Sequence, residues 1–229
     1  FPHGLGDCVH FAHVITAYRE YGWAISVRRD RGRPGLWELL GVDLTDKYTI
    51  THPWLHSPSW SSESASILDS NKVAFNAGRA PLPSLAVGRR ALWERVIAQK
   101  IRVEETIPAW AWLETSEFLE GVRGPMVAIH LNGHSSRSSK DISIKTALRL
   151  QSQLVEAGFF VILLDEDGIT ARLDSERVRS IRDRWSPMPI ECLCALISQV
   201  GLNDGIDRGP MHISCATSAR TNRVRSDPT

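Results

Sequence analysis

The chain has no long hydrophobic run. Its longest strongly apolar stretch, residues 159–164, falls far short of the ~20 residues that a membrane-spanning helix needs, and no basic segment followed by an apolar one opens the sequence. Net charge is also nearly absent. Lys plus Arg is 27 and Asp plus Glu is 26, leaving +1. That excludes a general electrostatic drive toward nucleic acid or anionic lipid. The cluster Arg28, Arg29, Arg31 and Arg33 reads first as a solvated loop. Cysteine is scarce. Cys8, Cys192, Cys194 and Cys215 fit no zinc spacing, and 192–194 is not a CxxC pair. They read as small core thiols in a reducing compartment. These absences predict a soluble, cytoplasmic protein without a nucleic-acid partner. Peripheral contact with a membrane, at the inner face of the inner membrane, stays open.

What is present is ordinary globular material. The 229 residues are 42% hydrophobic and 23% charged. That excludes a disordered chain and a disulfide scaffold, and allows one large domain or two small ones. Residues 8–20 place Phe11, Val14, Ile15 and Tyr18 at helical spacing, Gly22 stops them, and 23–27 reads as a strand. Between 30 and 85 prolines and a serine-rich stretch leave only short strands at 47–50 and 72–75. Helices are predicted over 85–103 and 111–120, and 121–125 is a boundary rich in Gly and Pro. From 126 the pattern sharpens. A strand at 126–131, a polar loop at 132–139, a helix at 144–157 ended by Gly158, and a buried strand at 159–164 follow one another. Helices over 171–184 and 190–199, a weak strand over 200–206 and a last helix opening at Gly209-Pro210 complete an α/β alternation with a parallel sheet. The tail 220–229 is polar and shows no strand pattern.

Three places could carry chemistry. Gly4-Leu5-Gly6-Asp7 is a glycine turn ahead of a helix. Two glycines admit a ligand close to the backbone. A dinucleotide fingerprint fails, because Val9 holds its last glycine position and Asp7 sets a negative charge where a pyrophosphate would lie. Asp7 can be a general base for an incoming hydroxyl, or a plain helix cap. His10 and His13 lie one turn apart, but no further ligand accompanies them, and no metal is expected. The second place is Asp207-Arg208-Gly209-Pro210-Met211-His212, at a strand end and helix start suited to a phosphate. The third is the loop after the 126–131 strand. It gathers His134, Ser135, Ser136, Arg137, Ser138, Ser139 and Lys140, hydroxyls and cations that can hold phosphates. Each of the last two also reads as an ordinary turn or a polar loop.

Together the three places resemble glycosyltransferase family 9, the ADP-heptose:lipopolysaccharide heptosyltransferases. Gly4-Leu5-Gly6-Asp7 is similar to the family's GxGD entry, and His10 fits the Asp-x-x-His of one branch. Val127-Ala128-Ile129-His130, followed by Gly133 and Lys140, is similar to its "VALHPG…K" strand and loop. Gly209-Pro210-Met211-His212 matches its "SGPMH" segment letter for letter, and Asp207 holds the matching aspartate. The likeness covers residues 4–28 and 126–216 and is poor over 30–120. Arg208 stands where the family has Ser or Thr, Ile142 where a Trp is common, and Leu131-Asn132 in the usual proline region.

The resemblance implies a GT-B fold, two Rossmann-like domains with parallel sheets facing a cleft: an acceptor-side domain at 1–121 and a nucleotide-sugar-binding domain at 122–229. It implies inverting transfer of a heptose from an ADP-sugar to a lipopolysaccharide core-type acceptor, a glycolipid or oligosaccharide. The ADP-sugar is the donor substrate, and neither cofactor nor metal is needed. Asp7 would be the base, with Gly4, Gly6, His10, Ser135 and Ser136 as acceptor or loop contacts. Lys140, Gly209, Pro210, Met211 and His212 would neutralise the diphosphate, and Asp207 would hold the sugar side. The alternatives are a transferase of the same fold with another nucleotide sugar, an inactive nucleotide-binding relic, and a Rossmann dehydrogenase. With little room for a strand before Gly4 and none apparent after the last helix, the expectation is a chain incomplete at both ends.

Overall fold

The buried strands of the second half organise most of what the computed structural model describes, namely residues 5–6, 8–9, 12, 16, 26–28, 34–45, 102–132, 142–165, 168, 170–205 and 209–223. The chain divides into two compact units, Phe1–Ile101 and Arg102–Thr229.

In the first unit, Leu5, Gly6, Cys8, Val9, Ala12 and Thr16 are helical. Leu5, Cys8, Val9 and Ala12 are buried at i, i+3, i+4 and i+7, one face of a helix. The helix therefore reaches back into the expected glycine turn, because its buried stripe starts at Leu5. Phe11, Val14, Ile15 and Tyr18, whose spacing predicted the helix, lie outside the described residues. Strand β1 (Ser26–Arg28) pairs in parallel with β2 (Asp43–Thr45). Between them α1 (Pro34–Leu39) appears where the sequence predicts only loops. Pro34 suits the first helical position, and burial of Leu36, Trp37, Leu39 and Leu40 holds the helix down. The expected strands at 47–50 and 72–75 and the helix body over 85–101 lie outside the described residues.

The second unit opens with a 3-10 turn, Val103–Glu105, and helix α2 (Ala109–Phe118). Next come β3 (Met126–His130), α3 (Ile144–Glu156), β4 (Phe160–Leu163), β5 (Val178–Ser180) and a 3-10 turn at Ile181–Asp183. Helix α4 (Ile190–Val200), β6 (Leu202–Gly205), α5 (Gly209–Cys215) and β7 (Arg220–Arg223) finish it. The five strands are all parallel, in the order β5-β4-β3-β6-β7. All four residues of β4 are buried, as a strand covered on both faces requires. Val127, Ile129 and Leu131 pack with Ala147 of α3 and with Val161, Leu163 and Val178. Burying each large side chain contributes about 1.5–3 kcal/mol.

Helix α3 forms where its pattern predicts. Ser143 caps it, accepting the Thr146 N–H at 3.2 Å. Gly158, at φ +90°, stops it: the Gly158 N–H reaches Val155 O at 3.0 Å and the Phe159 N–H reaches Leu154 O at 3.0 Å, a Schellman end.

Two expectations are overturned. Residues 171–184 are not a helix. The amide of Gln151, fully buried on α3, donates to Ala171 O at 2.8 Å and accepts the Leu173 N–H at 2.9 Å, so it takes backbone groups that a helix would use. Val178 is 1% exposed and pairs with Val161 in the sheet. Tertiary burial outweighs local propensity here. A strand also follows the last helix. Polar β7 runs parallel to β6, and the Arg220 N–H donates to Gly201 O at 2.9 Å. An edge strand is held by backbone hydrogen bonds and needs no apolar face, which is why hydropathy misses it.

None of the four cysteines is in a disulfide; Cys8, Cys192 and Cys194 are buried as expected, whereas Cys215 is exposed. Burial, reinforced by Glu114 and Glu191, pushes the Cys192 thiol up to about 11. Burial, with Glu191 and Glu104, pushes Cys194 up to about 12. Among the described residues no helix is long and apolar enough to cross a membrane. At pH 8 the folded protein should therefore alkylate at Cys215, while Cys192 and Cys194 react only on unfolding. Mass mapping of iodoacetamide adducts in native and denaturing buffer checks this, and native labelling of Cys192 or Cys194 would contradict it.

Candidate nucleotide site

The strand order, renumbered from the first strand of the unit, is 3-2-1-4-5, so the chain reverses direction across the sheet between β3 and β6. In open α/β sheets ligands bind in the crevice beyond the carboxyl ends of the strands at such a switch point. β3 ends there at His130 and β6 ends at Gly205, and the two residues are partners in the ladder. A Cβ on Gly205 would lie 2.7 Å from His130 O and 3.3 Å from His130 N, so only glycine lets the strands approach this closely.

His130 is half-buried, with Nδ1 2.7 Å from Leu164 O. A carbonyl only accepts, so Nδ1 carries the hydrogen of this contact, which fixes the orientation of the ring. Helix α5 then rises from the end of β6, carrying Gly209, Pro210, Met211 and His212, and Pro210 is buried. Asn203, 1% exposed, fixes that helix to the strand. Its Nδ2 donates to Pro210 O and to Ser214 Oγ, each at 3.1 Å. The Ser214 hydroxyl donates in turn to Met211 O at 2.7 Å.

Asp204 faces away from Asn203, on the side of Leu202, which packs against the α3 core. Burial raises its carboxyl above the usual carboxylate range, a shift opposed by the hydrogen bond from the Gly205 backbone. Its Oδ1 is buried and has no hydrogen-bond partner among the described residues. Sequence reading overlooked Asn203, Asp204 and Gly205. The signal was there: three adjacent residues of low strand propensity in an otherwise plausible strand.

A second concavity lies one strand away, at the carboxyl ends of β4 and β5. It is a cavity of about 350 Å³ lined by Asp165, Gly168, Thr170, Arg172, Arg182 and Asp183 among others. The residues flagged in the sequence fare differently. Gly209, Pro210, Met211 and His212 stand on α5 beside the switch point. Gly6 lies on the first helix of the other unit. Asp7, Gly4, His10, Ser135, Ser136, Lys140 and Asp207 lie outside the described residues, as does Arg208. Ile142 is buried in the α3 core, its N–H donating to Leu131 O at 3.0 Å.

No family model matches the chain. No curated protein matches it either. Among solved structures it is similar to E. coli heptosyltransferase WaaC with ADP-2-deoxy-2-fluoro heptose, at 13% identity, over 96% of this chain and 85% of that chain, with a TM-score of 0.49.

Two outcomes test the geometry at the switch point. Gly205→Ala should destabilise the second unit by about 1–3 kcal/mol, as overpacking against backbone does; a urea midpoint like that of the parent would refute the close approach. For Asp204 the folded pKa is raised, so the folded state holds a proton that the unfolded state releases, and stability falls as pH rises from the unfolded pKa through the folded one. Asp204→Asn should thus stabilise the protein more at pH 7 than at pH 4. Melting temperatures of both proteins at the two pH values decide it, and a gain independent of pH would count against burial of this carboxyl.

Proposed function

We propose that the chain is an inverting, metal-independent glycosyltransferase of the heptosyltransferase type, with a nucleotide sugar as donor and a glycolipid or oligosaccharide as acceptor. One observation supports this most. The two stretches that carry the family resemblance in the second unit, 127–130 and 209–212, are far apart in sequence, yet they sit on β3 and on the helix after β6, the strands that flank the switch point. A phosphate-bearing ligand belongs in that crevice.

On this reading the arrangement is of GT-B type, the N-terminal half serving the acceptor and the C-terminal half the donor. Asp7 takes the proton from the acceptor hydroxyl as its oxygen attacks the anomeric carbon. The bond from that carbon to the diphosphate oxygen breaks, and the configuration inverts. Lys140 and the residues Gly209, Pro210, Met211 and His212 stabilise charge on the departing diphosphate. Asp207 holds the sugar side, and Gly4, Gly6, His10, Ser135 and Ser136 border the acceptor or its loop.

Turnover should appear in a panel of ADP-, GDP- and UDP-sugars, highest with an ADP-heptose. Asp7→Asn should lower kcat about 10²–10⁴-fold, the usual worth of a general base, while ADP binding by calorimetry is unchanged. Near-full turnover in that variant would remove Asp7 from its role. Preference for another donor would move the chain to the same fold with a different nucleotide sugar, and ADP binding without turnover on any donor would mark a relic.

A further inference from the structure

The cavity at the ends of β4 and β5 is unusual in how its polar groups are spent. Both of its carboxylates are engaged. Asp165, 9% exposed, accepts the Gly168 N–H at 3.1 Å on Oδ1 and the Thr170 N–H on Oδ2. Asp183 receives the Arg172 guanidinium at 2.9 and 3.0 Å and the Ser180 N–H at 3.0 Å. Arg172 also donates to Val178 O at 2.7 Å. With the Asn132 amide turned so that its nitrogen meets Leu131 O, the Thr170 hydroxyl donates to its oxygen at 2.7 Å.

The arginines of this segment are engaged as well, with one exception. Arg177 binds Gly158 O at 2.9 Å, Arg179 binds Phe118 O, and Arg184 binds Glu114 and Glu117 at 2.8 and 2.7 Å. The guanidinium of Arg182 has no such partner among the described residues, and it lines the cavity. Its place is held open by Gly168, at φ +67°, since a Cβ there would overlap the guanidinium. The Ser180 hydroxyl accepts the Arg182 N–H at 3.2 Å and keeps its own hydrogen to give. Every carboxylate oxygen of the cavity lining already accepts a hydrogen bond, whereas the Arg182 guanidinium and the Ser180 hydroxyl have donors still to give.

We propose that this cavity is an anion subsite that takes a phosphate group, held by the Arg182 guanidinium and the Ser180 hydroxyl. Its volume, about 350 Å³, is at the small end for ligand sites and suits one end of a ligand. It lies beside the switch point on the β4 side, where nucleotide-binding sheets of this order place the ribose, and where an acidic side chain holds ribose hydroxyls or an arginine accommodates a ribose phosphate. Here the acid is engaged by its own loop and the arginine is not. The phosphate would therefore be a monoester at the nucleoside end of the ligand. That attachment rests on a nucleotide binding at the switch point; the phosphate subsite does not.

Inorganic phosphate titrated into the full chain, followed by the NMR amide signals of Gly168 and Ser180, tests the subsite. Saturable shifts are expected, with binding about tenfold weaker in Arg182→Gln, the worth of a charged hydrogen bond. Arg182 is exposed, so the variant should fold as the parent does. Absence of saturable shifts, or equal binding in the variant, would overturn the proposal. Calorimetry with AMP and with adenosine 2′,5′- and 3′,5′-bisphosphate tests the attachment. One bisphosphate should bind about tenfold tighter than AMP, and lose that gain in Arg182→Gln. Equal binding of all three would overturn the attachment. If none binds while phosphate still shifts Gly168, the donor reading fails and the subsite stands.

Discussion

The contact between Gly205 and the backbone of His130 is the constraint on which the second unit turns. Parallel pairing of β3 with β6 reverses the winding of the sheet, and the reversal makes a crevice at the carboxyl ends of the strands. The pairing runs to the last residue of each strand only because position 205 has no side chain. A bulkier residue would part the strands at the point where β3 delivers His130 and β6 delivers α5. The helix is tied to the same strand by Asn203, so strand register and helix position are a single geometric choice.

Buried polar side chains do much of the remaining positioning. Gln151, Asn203 and Asp165 each bind backbone groups outside regular ladders: two in the 171–173 segment, one at the start of α5, two in the turn after β4. Leaving such groups unpaired would cost about 1–3 kcal/mol apiece. The connection from β4 to β5 therefore needs no helix, although helices are the usual crossover between parallel strands. What results is a short β5, an adjoining 3-10 turn and a cavity rimmed by arginines. Among the described residues the end of β6 departs from this pattern: Asn203 Oδ1 and Asp204 Oδ1 are buried without a hydrogen-bond partner, beside the crevice.

Much of the second unit was legible in the chain. The apolar run before residue 164, the Ser143 cap and the Gly158 stop announced β4 and α3 nearly to the residue, because local patterning and burial agree there. Residues 171–184 were misread because their order comes from Gln151, which local sequence cannot reveal. β7 was missed because an edge strand carries no apolar signature. Of the candidate site, Gly209-Pro210-Met211-His212 was visible as a motif, whereas Asn203, Gly205 and Arg182 were not, since their significance lies in what stands opposite them.

By itself, then, the sequence determined the α/β alternation, the absence of membrane-spanning runs and the motifs that carry a family resemblance. These depend on periodicity and residue type, which act over a few neighbouring positions. Tertiary structure alone decided that β3 and β6 are neighbours, that a polar strand pairs with β6, and that Arg182 lines a cavity with its guanidinium unpaired among the described residues. Those outcomes depend on partners distant in the chain, and a hydrogen bond or a close approach exists only once both partners are in place.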